Sequence, residues 1–187
     1  SFDELVAISN EAEGLQFFMG FAHVINAMRS IPKLVIGRVQ GKAVGGGVGV
    51  ASATDFCLAT KHAAVKLSEL AVGIGPFVVG PAVERKLGIS GMSQLAIDAT
   101  EWRSAQWAHE RGLYASVHED AVALDEAVNT LAVRLAASNP EAMAEMKRTF
   151  WRGTEDWDTL LADRAAISGR LVLSDFTRKA IARFKAG

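Results

Sequence analysis

Four glycines within five positions are the first residues in this sequence whose type and spacing could do chemistry. Gly45, Gly46, Gly47 and Gly49 follow a β-branched run, and small residues continue to Ala53, which is typical of a tight turn from a strand into a helix. At such a turn, backbone N–H groups at the helix start can approach an anion or a polarised carbonyl. The alternative is close packing of the helix against the strand, and the glycines alone leave both interpretations open.

Two nucleotide-binding motifs are excluded at this glycine cluster. A dinucleotide fingerprint that began at Gly45 would need a glycine at position 50, where the sequence has Val50. A phosphate-binding loop also fails, because only three residues separate Gly37 from Gly41 and Ala43 follows Lys42. The glycines therefore do not indicate a nucleotide cofactor.

Nucleophilic and metal-dependent chemistry receive no support from the sequence either. The four histidines have no Ser or Asp partner at a recognisable spacing, so we do not expect a hydrolytic triad. Cys57 is the single cysteine, and no Cys or His cluster at zinc-site spacing surrounds it. We expect a buried thiol in a reducing compartment, a cytoplasmic location and no metal.

Length and composition restrict what can position these glycines. The 187 residues suit one ordinary domain, half of them are apolar, and the formal charge of −1 argues against a nucleic-acid partner. The longest uncharged apolar run covers 14 residues, 70–83, whereas a membrane span needs ~18. We therefore expect a compactly folded chain without a membrane span.

The hydrophobic pattern predicts a layered α/β structure that becomes mostly helical downstream. Strands are predicted at residues 34–40 and 56–59, on either side of the glycine turn. Helices are predicted at residues 14–30, 77–87, 91–99, 104–111, 121–137, 140–150 and 159–173. A shift in composition near residues 115–120 suggests a boundary between residues 1–117 and a helical region, 118–187.

Three segments resemble signatures of the crotonase superfamily, the enoyl-CoA hydratases and isomerases. Residues 31–47 (IPKLVIGRVQGKAVGGG), followed by Asp55, are similar to its strand and triple-glycine block. Residues 68–74 (SELAVGI) resemble its second block, and residues 108–113 resemble its Ala-to-Gly-Leu helix end. The similarity extends over nearly the whole chain.

The resemblance implies a fold, a ligand and an assembly. The fold is a spiral of β-β-α turns with a C-terminal helical oligomerisation region, which builds homotrimers or hexamers. The ligand is an acyl-CoA thioester, so coenzyme A enters as part of the substrate and no separate cofactor is expected. On this alignment about 70 residues of the spiral precede Ser1, so we expect a shortened, cleaved or incompletely observed chain with an open sheet edge.

The resemblance also assigns roles to residues. Gly46 falls where the family places an N–H donor to the thioester oxygen, within an oxyanion loop that includes Gly45, Gly47 and Gly49. Glu69 matches a catalytic glutamate that moves protons near the acyl carbons, and burial should raise its pKa. We also assign Leu67, Ile74 and Phe77 to the acyl pocket. Separately, the basic tail that contains Arg178, Lys179 and Lys185 is either a contact for the CoA phosphates or the solvated face of a terminal helix.

One departure from the family leaves the reaction open. Typical hydratases carry a second glutamate where this chain has Gly49, and Glu84 is a candidate replacement. Hydration of a 2-enoyl-CoA to a 3-hydroxyacyl-CoA is the first expectation, although one carboxylate also suits an isomerase that shifts a double bond from position 3 to 2. A third hypothesis, from another class, is a non-catalytic acyl-CoA-binding or assembly protein.

Overall fold

The computed structural model describes the backbone of residues 2–186 and the side chains of residues 3–183. Its helices are α1 (Phe2–Ala7), α2 (Glu11–Ser30), α3 (Gly46–Ala53), α4 (Gly80–Ile97), α5 (Ala105–Glu110), α6 (Ala121–Ala136), α7 (Pro140–Phe150), α8 (Trp157–Leu171) and α9 (Asp175–Ala186). Its strands are β1 (Ile36–Val39), β2 (Ala43–Val44), β3 (Phe56–Thr60), β4 (Val65–Lys66) and β5 (Ser116–His118), and a single 3-10 turn covers Leu70–Val72. No helix among the described residues is both long and apolar enough to cross a bilayer.

The strands form two small parallel sheets. In the first sheet, β3 lies between β1 and β5, with Ile36 opposite Phe56 and Leu58 opposite Ser116. The second sheet pairs β2 with β4, which places Ala43 opposite Val65. Because helices cover both faces of a parallel sheet, β3 is almost continuously apolar and buried, and the pattern predicted it correctly.

Three short strands were not predicted from the sequence: β2 and β4, of two residues each, and β5, of three. Strand β5 spans the proposed boundary at residues 117 and 118 while pairing with β3. The two helices predicted at residues 77–87 and 91–99 are confirmed as two helical segments of α4, which are separated at Gly88 by a non-helical backbone conformation (φ 67°, ψ 168°). A glycine tolerates this positive φ, so the first segment ends there and the second begins directly after it.

Helix α2 forms one wall of the molecule and crosses α8 at very short range. Its N-terminus is capped by the Asn10 side chain, which accepts from the Glu13 N–H, so the helix begins before the predicted residue 14. The crossing is at Gly14 and Gly169, where a Cβ atom on Gly14 would lie 2.6 Å from the Gly169 carbonyl oxygen. The glycine pair therefore sets how closely α8 can hold α2 against the rest of the fold.

A buried polar cluster around Asp55 joins α7 to the first sheet. The Asp55 carboxylate accepts from the Val35 N–H at 2.7 Å, from Lys147 Nζ at 2.5 Å and from Trp151 Nε1 at 2.7 Å. Lys147 also donates to the Met28 carbonyl at 2.7 Å, and its side chain is 3% exposed. The ion pair is thus desolvated and surrounded by additional hydrogen bonds, which is the condition under which such pairs are tolerated in a core.

We predict that Gly14→Ala destabilises the protein by about 1–3 kcal/mol, because the added methyl group meets backbone atoms that cannot move aside. Gly20→Ala is the matched control on the same helix, since a Cβ atom there meets nothing within 4 Å. The control should stabilise the protein by about 0.5–1 kcal/mol through helix propensity. Urea unfolding measures both changes, and equal effects would contradict the close crossing.

We predict that Lys147→Met costs about 3–5 kcal/mol, because it leaves the Asp55 carboxylate buried without its cation. Lys61→Met is the control, since Lys61 pairs with Glu119 on the exposed surface. Losing an exposed pair should cost less than about 1 kcal/mol. A similar denaturation midpoint for both variants would argue against a structural role for the Asp55 cluster.

Candidate active site

A cavity of about 370 Å³ opens between α2, β2 and the segment that follows β4. This volume is within the range of small-ligand sites, about 300–1,000 Å³. Gly46 and Glu69 both line it, and the only other polar side chains on its wall within the described residues belong to Ser68 and Ser168. The remaining wall is mostly apolar: Leu5, Phe17, Phe18, Phe21, Val44, Val72, Ile74, Pro76, Phe77, Val78 and Val79.

The glycine turn positions a backbone N–H at this cavity. Gly45 has φ 54°, a conformation that favours glycine, and its N–H donates to the Lys66 carbonyl at 2.9 Å. Its own carbonyl accepts from the Val48 and Gly49 N–H groups, so α3 begins at Gly46. The Gly46 N–H is one of the first in the helix and donates to no protein acceptor in the described part of the chain. It is thus available to a ligand.

The Phe21 ring explains why position 46 is a glycine. A Cβ atom there would lie 2.2 Å from Phe21 Cε1, a distance at which a side chain cannot be placed. The same ring lines the cavity, so the wall lies directly beside the Gly46 backbone.

Glu69 carries an uncompensated carboxylate at the cavity. Its Oε2 atom is buried and has no hydrogen-bond partner, and its Oε1 atom lies 2.9 Å from where a Cβ atom on Gly45 would be. The carboxylate is therefore adjacent to the glycine turn. Burial raises the pKa of Glu69 from 4.5 to about 7, the direction expected from the sequence. A carboxyl group with this pKa exists in both protonation states near neutral pH and can act as an acid or a base.

The glycines of the turn divide between the two roles that the sequence left open. Gly45 forms the bend and Gly46 lines the cavity, whereas Gly49 is buried against α4. A Cβ atom on Gly49 would lie 2.4 Å from Val79 Cγ1, so close packing requires this glycine. Gly47 is exposed and contacts neither the cavity nor α4 in this way. Of the four glycines assigned to the oxyanion loop, only Gly46 lines the cavity.

The predicted pocket residues are only partly brought together. Ile74 and Phe77 line the cavity, but Leu67 is fully buried in the core. The reason is strand alternation, because Val65 and Leu67 face inward while Lys66 and Ser68 face the opposite side. Glu84 is exposed on α4 and is not part of the cavity wall, so it does not stand in for a second acid there.

The basic residues of the C-terminal helix lie elsewhere. Arg178 is exposed beside a groove that residues 5–9 also line, and Lys179 is exposed on α9. The side chain of Lys185 lies outside the described residues. The structure thus leaves the proposed CoA contacts of these residues as predictions.

Sequence reasoning missed the aromatic wall and the residue that fills the space beside Gly49. Phe17, Phe18 and Phe21 were recognised only as one apolar face of a helix, which does not distinguish a cavity wall from a core. Their rings meet edge to face, with centroids 5.1 Å apart for Phe17 and Phe18 and 6.1 Å for Phe17 and Phe21. No sequence pattern indicated the contact between Val79 and Gly49, because only the tertiary fold brings these two residues together.

No group of three or more His, Cys, Asp and Glu side chains that could share a metal ion occurs in the described residues. The side chains at the cavity are those of a site for an organic ligand with a polar centre.

The sequence matches the enoyl-CoA hydratase/isomerase family over residues 5–183. It is 28% identical over 167 residues to enoyl-CoA hydratase ACTT6 of Alternaria alternata, which covers 88% of this chain and 55% of that protein. It is 27% identical over 176 residues to a short-chain-enoyl-CoA hydratase of Clostridium acetobutylicum, covering 94% and 67%. The chain spans about half the length of the two Alternaria alternata hydratases ACTT6 and AKT6-1.

Solved structures of similar proteins agree with the fold. An enoyl-CoA hydratase from Mycobacterium avium subsp. paratuberculosis K-10 superposes with a TM-score of 0.83 at 25% identity, covering 91% of this chain and 70% of that one. One from Bacillus halodurans gives a TM-score of 0.86 at 19% identity, covering 98% and 74%. The α/β fold expected from the resemblance is confirmed. With a family match over almost the whole sequence, the chain belongs to the enoyl-CoA hydratase/isomerase family of the crotonase superfamily.

Proposed function

We propose that this protein acts on enoyl-CoA thioesters. The leading candidate reaction is the addition of water to a 2-enoyl-CoA. The observation that carries the proposal is a single cavity lined by Gly46, whose N–H has no acceptor among the described residues, and by Glu69, whose Oε2 atom has no hydrogen-bond partner. The Gly46 N–H can donate a hydrogen bond to a carbonyl oxygen, and the Glu69 carboxyl group can transfer a proton beside it. The names of relatives support the same chemistry, because they include enoyl-CoA hydratases and a carnitinyl-CoA dehydratase.

The Gly46 N–H supports the step in which charge develops. Attack at C3 of a 2-enoyl thioester pushes the electron pair of the C2–C3 double bond toward C2 and the thioester oxygen. A donor fixed at that oxygen stabilises the transition state by about 3–4 kcal/mol. The Gly45 conformation and the helix start hold this N–H in place before substrate arrives, so no reorganisation is needed when the charge forms.

Glu69 supplies the proton transfer. As a carboxylate, it takes one proton from a water molecule while the hydroxide oxygen bonds to C3. As the resulting acid, it returns that proton to C2, which completes the 3-hydroxyacyl thioester. One group can serve both steps because its pKa lies near neutrality and both forms are accessible.

A second candidate reaction is the shift of a double bond from C3 to C2. Among the described residues of the cavity wall, Glu69 is the only titratable side chain, and Val79 fills the space beside Gly49. A base that removes a proton from C2 and delivers it to C4 is sufficient for this isomerisation. The lone carboxylate favours this candidate, whereas the relatives' names favour hydration.

The assembly expected from the resemblance remains part of this proposal. Large apolar side chains are exposed on the C-terminal helices, including Val122 and Val133 on α6 and Phe176 on α9. Contact between copies would cover such surface. We propose a homotrimer or a hexamer, which sedimentation measures directly.

Incubation with matched 2-enoyl-CoA and 3-enoyl-CoA substrates separates the two reactions. We expect the 2-enoyl substrate to give a product that is heavier by one water, identified by mass and retention time. Conversion of the 3-enoyl substrate to the 2-enoyl isomer at unchanged mass would instead support isomerisation. Tight acyl-CoA binding without conversion of either substrate would overturn both and support the non-catalytic hypothesis.

We predict that Glu69→Gln lowers kcat/KM by about 10²–10⁴-fold, because the amide cannot exchange the proton. Glu84→Gln is the control, since the same change is made on the exposed side of α4. It should leave turnover within a factor of two. Equal activity of the two variants would remove Glu69 from the mechanism.

The pH dependence gives an independent check on the same residue. The base form of Glu69 predominates above its pKa of about 7, so kcat/KM should rise with pH through that value and then level off. The residual rate of Glu69→Gln should lack this rise. A rate already at its plateau by pH 5 would show that the pKa of Glu69 is not raised in the folded protein.

A further inference from the structure

The second sheet presents two lysines on the same face as the cavity. Val44 of β2 is opposite Lys66 of β4, and side chains two positions apart share a face of a strand. Lys42 therefore extends the face of Val44, and Ser68 extends the face of Lys66. Val44 and Ser68 line the cavity, whereas the two lysines do not. Each lysine lies two residues before one of these lining residues, which is about 7 Å along the strand. The opposite face, with Val65, is buried in the core.

Trp102 brings the two ammonium groups together. Lys42 Nζ lies 4.9 Å and Lys66 Nζ 4.6 Å from the centroid of its indole ring. Trp102 is held beside the sheet because the next residue, Arg103, forms an antiparallel bridge with Val65. The indole is 38% exposed, so this group, Lys42, Lys66 and Trp102, forms an accessible cationic surface. We call it the Lys42–Lys66–Trp102 surface.

The two positive charges are not neutralised within the described residues. Neither lysine has a carboxylate within 4 Å, and the nearby Asp98 is paired with Arg103 at 2.7 Å. Glu101, the residue before Trp102, is exposed and forms no ion pair with either lysine. Two like charges gathered on one ring repel each other, and an anion between them would remove that cost.

The proposed function indicates which anion would arrive here. An acyl-CoA with its thioester at Gly46 and Glu69 must carry the rest of the coenzyme out of the cavity and across the adjacent protein surface. That part of the molecule bears phosphate groups, which lysines bind as point charges. The two lysines share the sheet face of Val44 and Ser68, which line the cavity, so a coenzyme that left the cavity along this face would meet them.

We propose that Lys42 and Lys66, held by Trp102, bind phosphate groups of the CoA nucleotide. This inference rests on the proposed function, because it uses the thioester position to orient the coenzyme. It places the phosphate contact on the second sheet, at a different location from the basic residues of α9. These lysines bind substrate without taking part in proton transfer, so they should affect affinity and leave the chemical step unchanged.

The test compares the double variant Lys42→Met/Lys66→Met with the unchanged protein and with the control Lys61→Met. Dissociation constants are measured calorimetrically for CoA and for dephospho-CoA, which lacks the 3′-phosphate, and KM is measured for an acyl-pantetheine, which lacks the nucleotide. We expect the double variant to bind CoA at least tenfold more weakly, with unchanged kcat and unchanged KM for the acyl-pantetheine. The control should bind CoA like the unchanged protein.

Comparison of the three ligands identifies the phosphate that the lysines bind and shows which result would overturn the inference. A smaller loss with dephospho-CoA than with CoA assigns the lysines to the 3′-phosphate, whereas equal losses assign them to the pyrophosphate. Equal CoA affinity of the double variant and the unchanged protein would overturn the inference, as would an equal loss with the acyl-pantetheine. The unfolding midpoint of the double variant verifies that the fold is retained.

A second measurement needs no variant and keeps this inference separate from the proposed function. Affinity of the unchanged protein for CoA should fall as ionic strength rises, because exposed charges are screened. Salt-independent binding would argue against the lysine contacts. If the protein binds CoA but converts neither enoyl-CoA, the proposed function fails, while the comparison of lysine variants still decides this inference.

Discussion

The proposed chemistry depends on one carboxylate, that of Glu69, whose Oε2 atom is buried without a hydrogen-bond partner. Glu69 faces an apolar cavity, and burial favours its neutral form strongly enough to move its pKa to about 7. A buried acid without hydrogen bonds on one oxygen reduces the stability of the folded chain once it ionises. The proposed function accounts for this position, because the same desolvation would make proton transfer accessible at neutral pH.

The rest of the fold holds a backbone N–H beside that carboxylate. The parallel pair of β2 and β4 brings Gly45 next to Lys66, and the bend at Gly45 starts α3 at the cavity. Helix α2 supplies the aromatic wall and is held in turn by α8 across the glycine crossing. The Asp55 cluster ties α7 to the first sheet, and none of its residues lines the cavity.

The single carboxylate and the cationic surface divide the proposed work between two places. Proton transfer is proposed for the apolar cavity, where desolvation raises the pKa of the carboxyl group toward neutral pH. Binding of the coenzyme is proposed for an exposed face, where two lysines are well solvated and contribute affinity. A larger side chain at Gly49 would require Val79 to move, because a Cβ atom there would lie 2.4 Å from Val79 Cγ1.

By itself, the sequence determined the family, most helices, two strands, and the pairing of a glycine turn with Glu69, because local periodicity and short motifs carry that information. It did not reveal β2, β4 or β5, since two or three residues give too little pattern, nor the inward direction of Leu67, since that depends on strand register. The exposure of Glu84, the packing of Val79 on Gly49 and the meeting of Lys42 and Lys66 at Trp102 were decided only by the tertiary structure. Each of these contacts joins residues distant in sequence, and such contacts are fixed by packing rather than by any neighbouring residue.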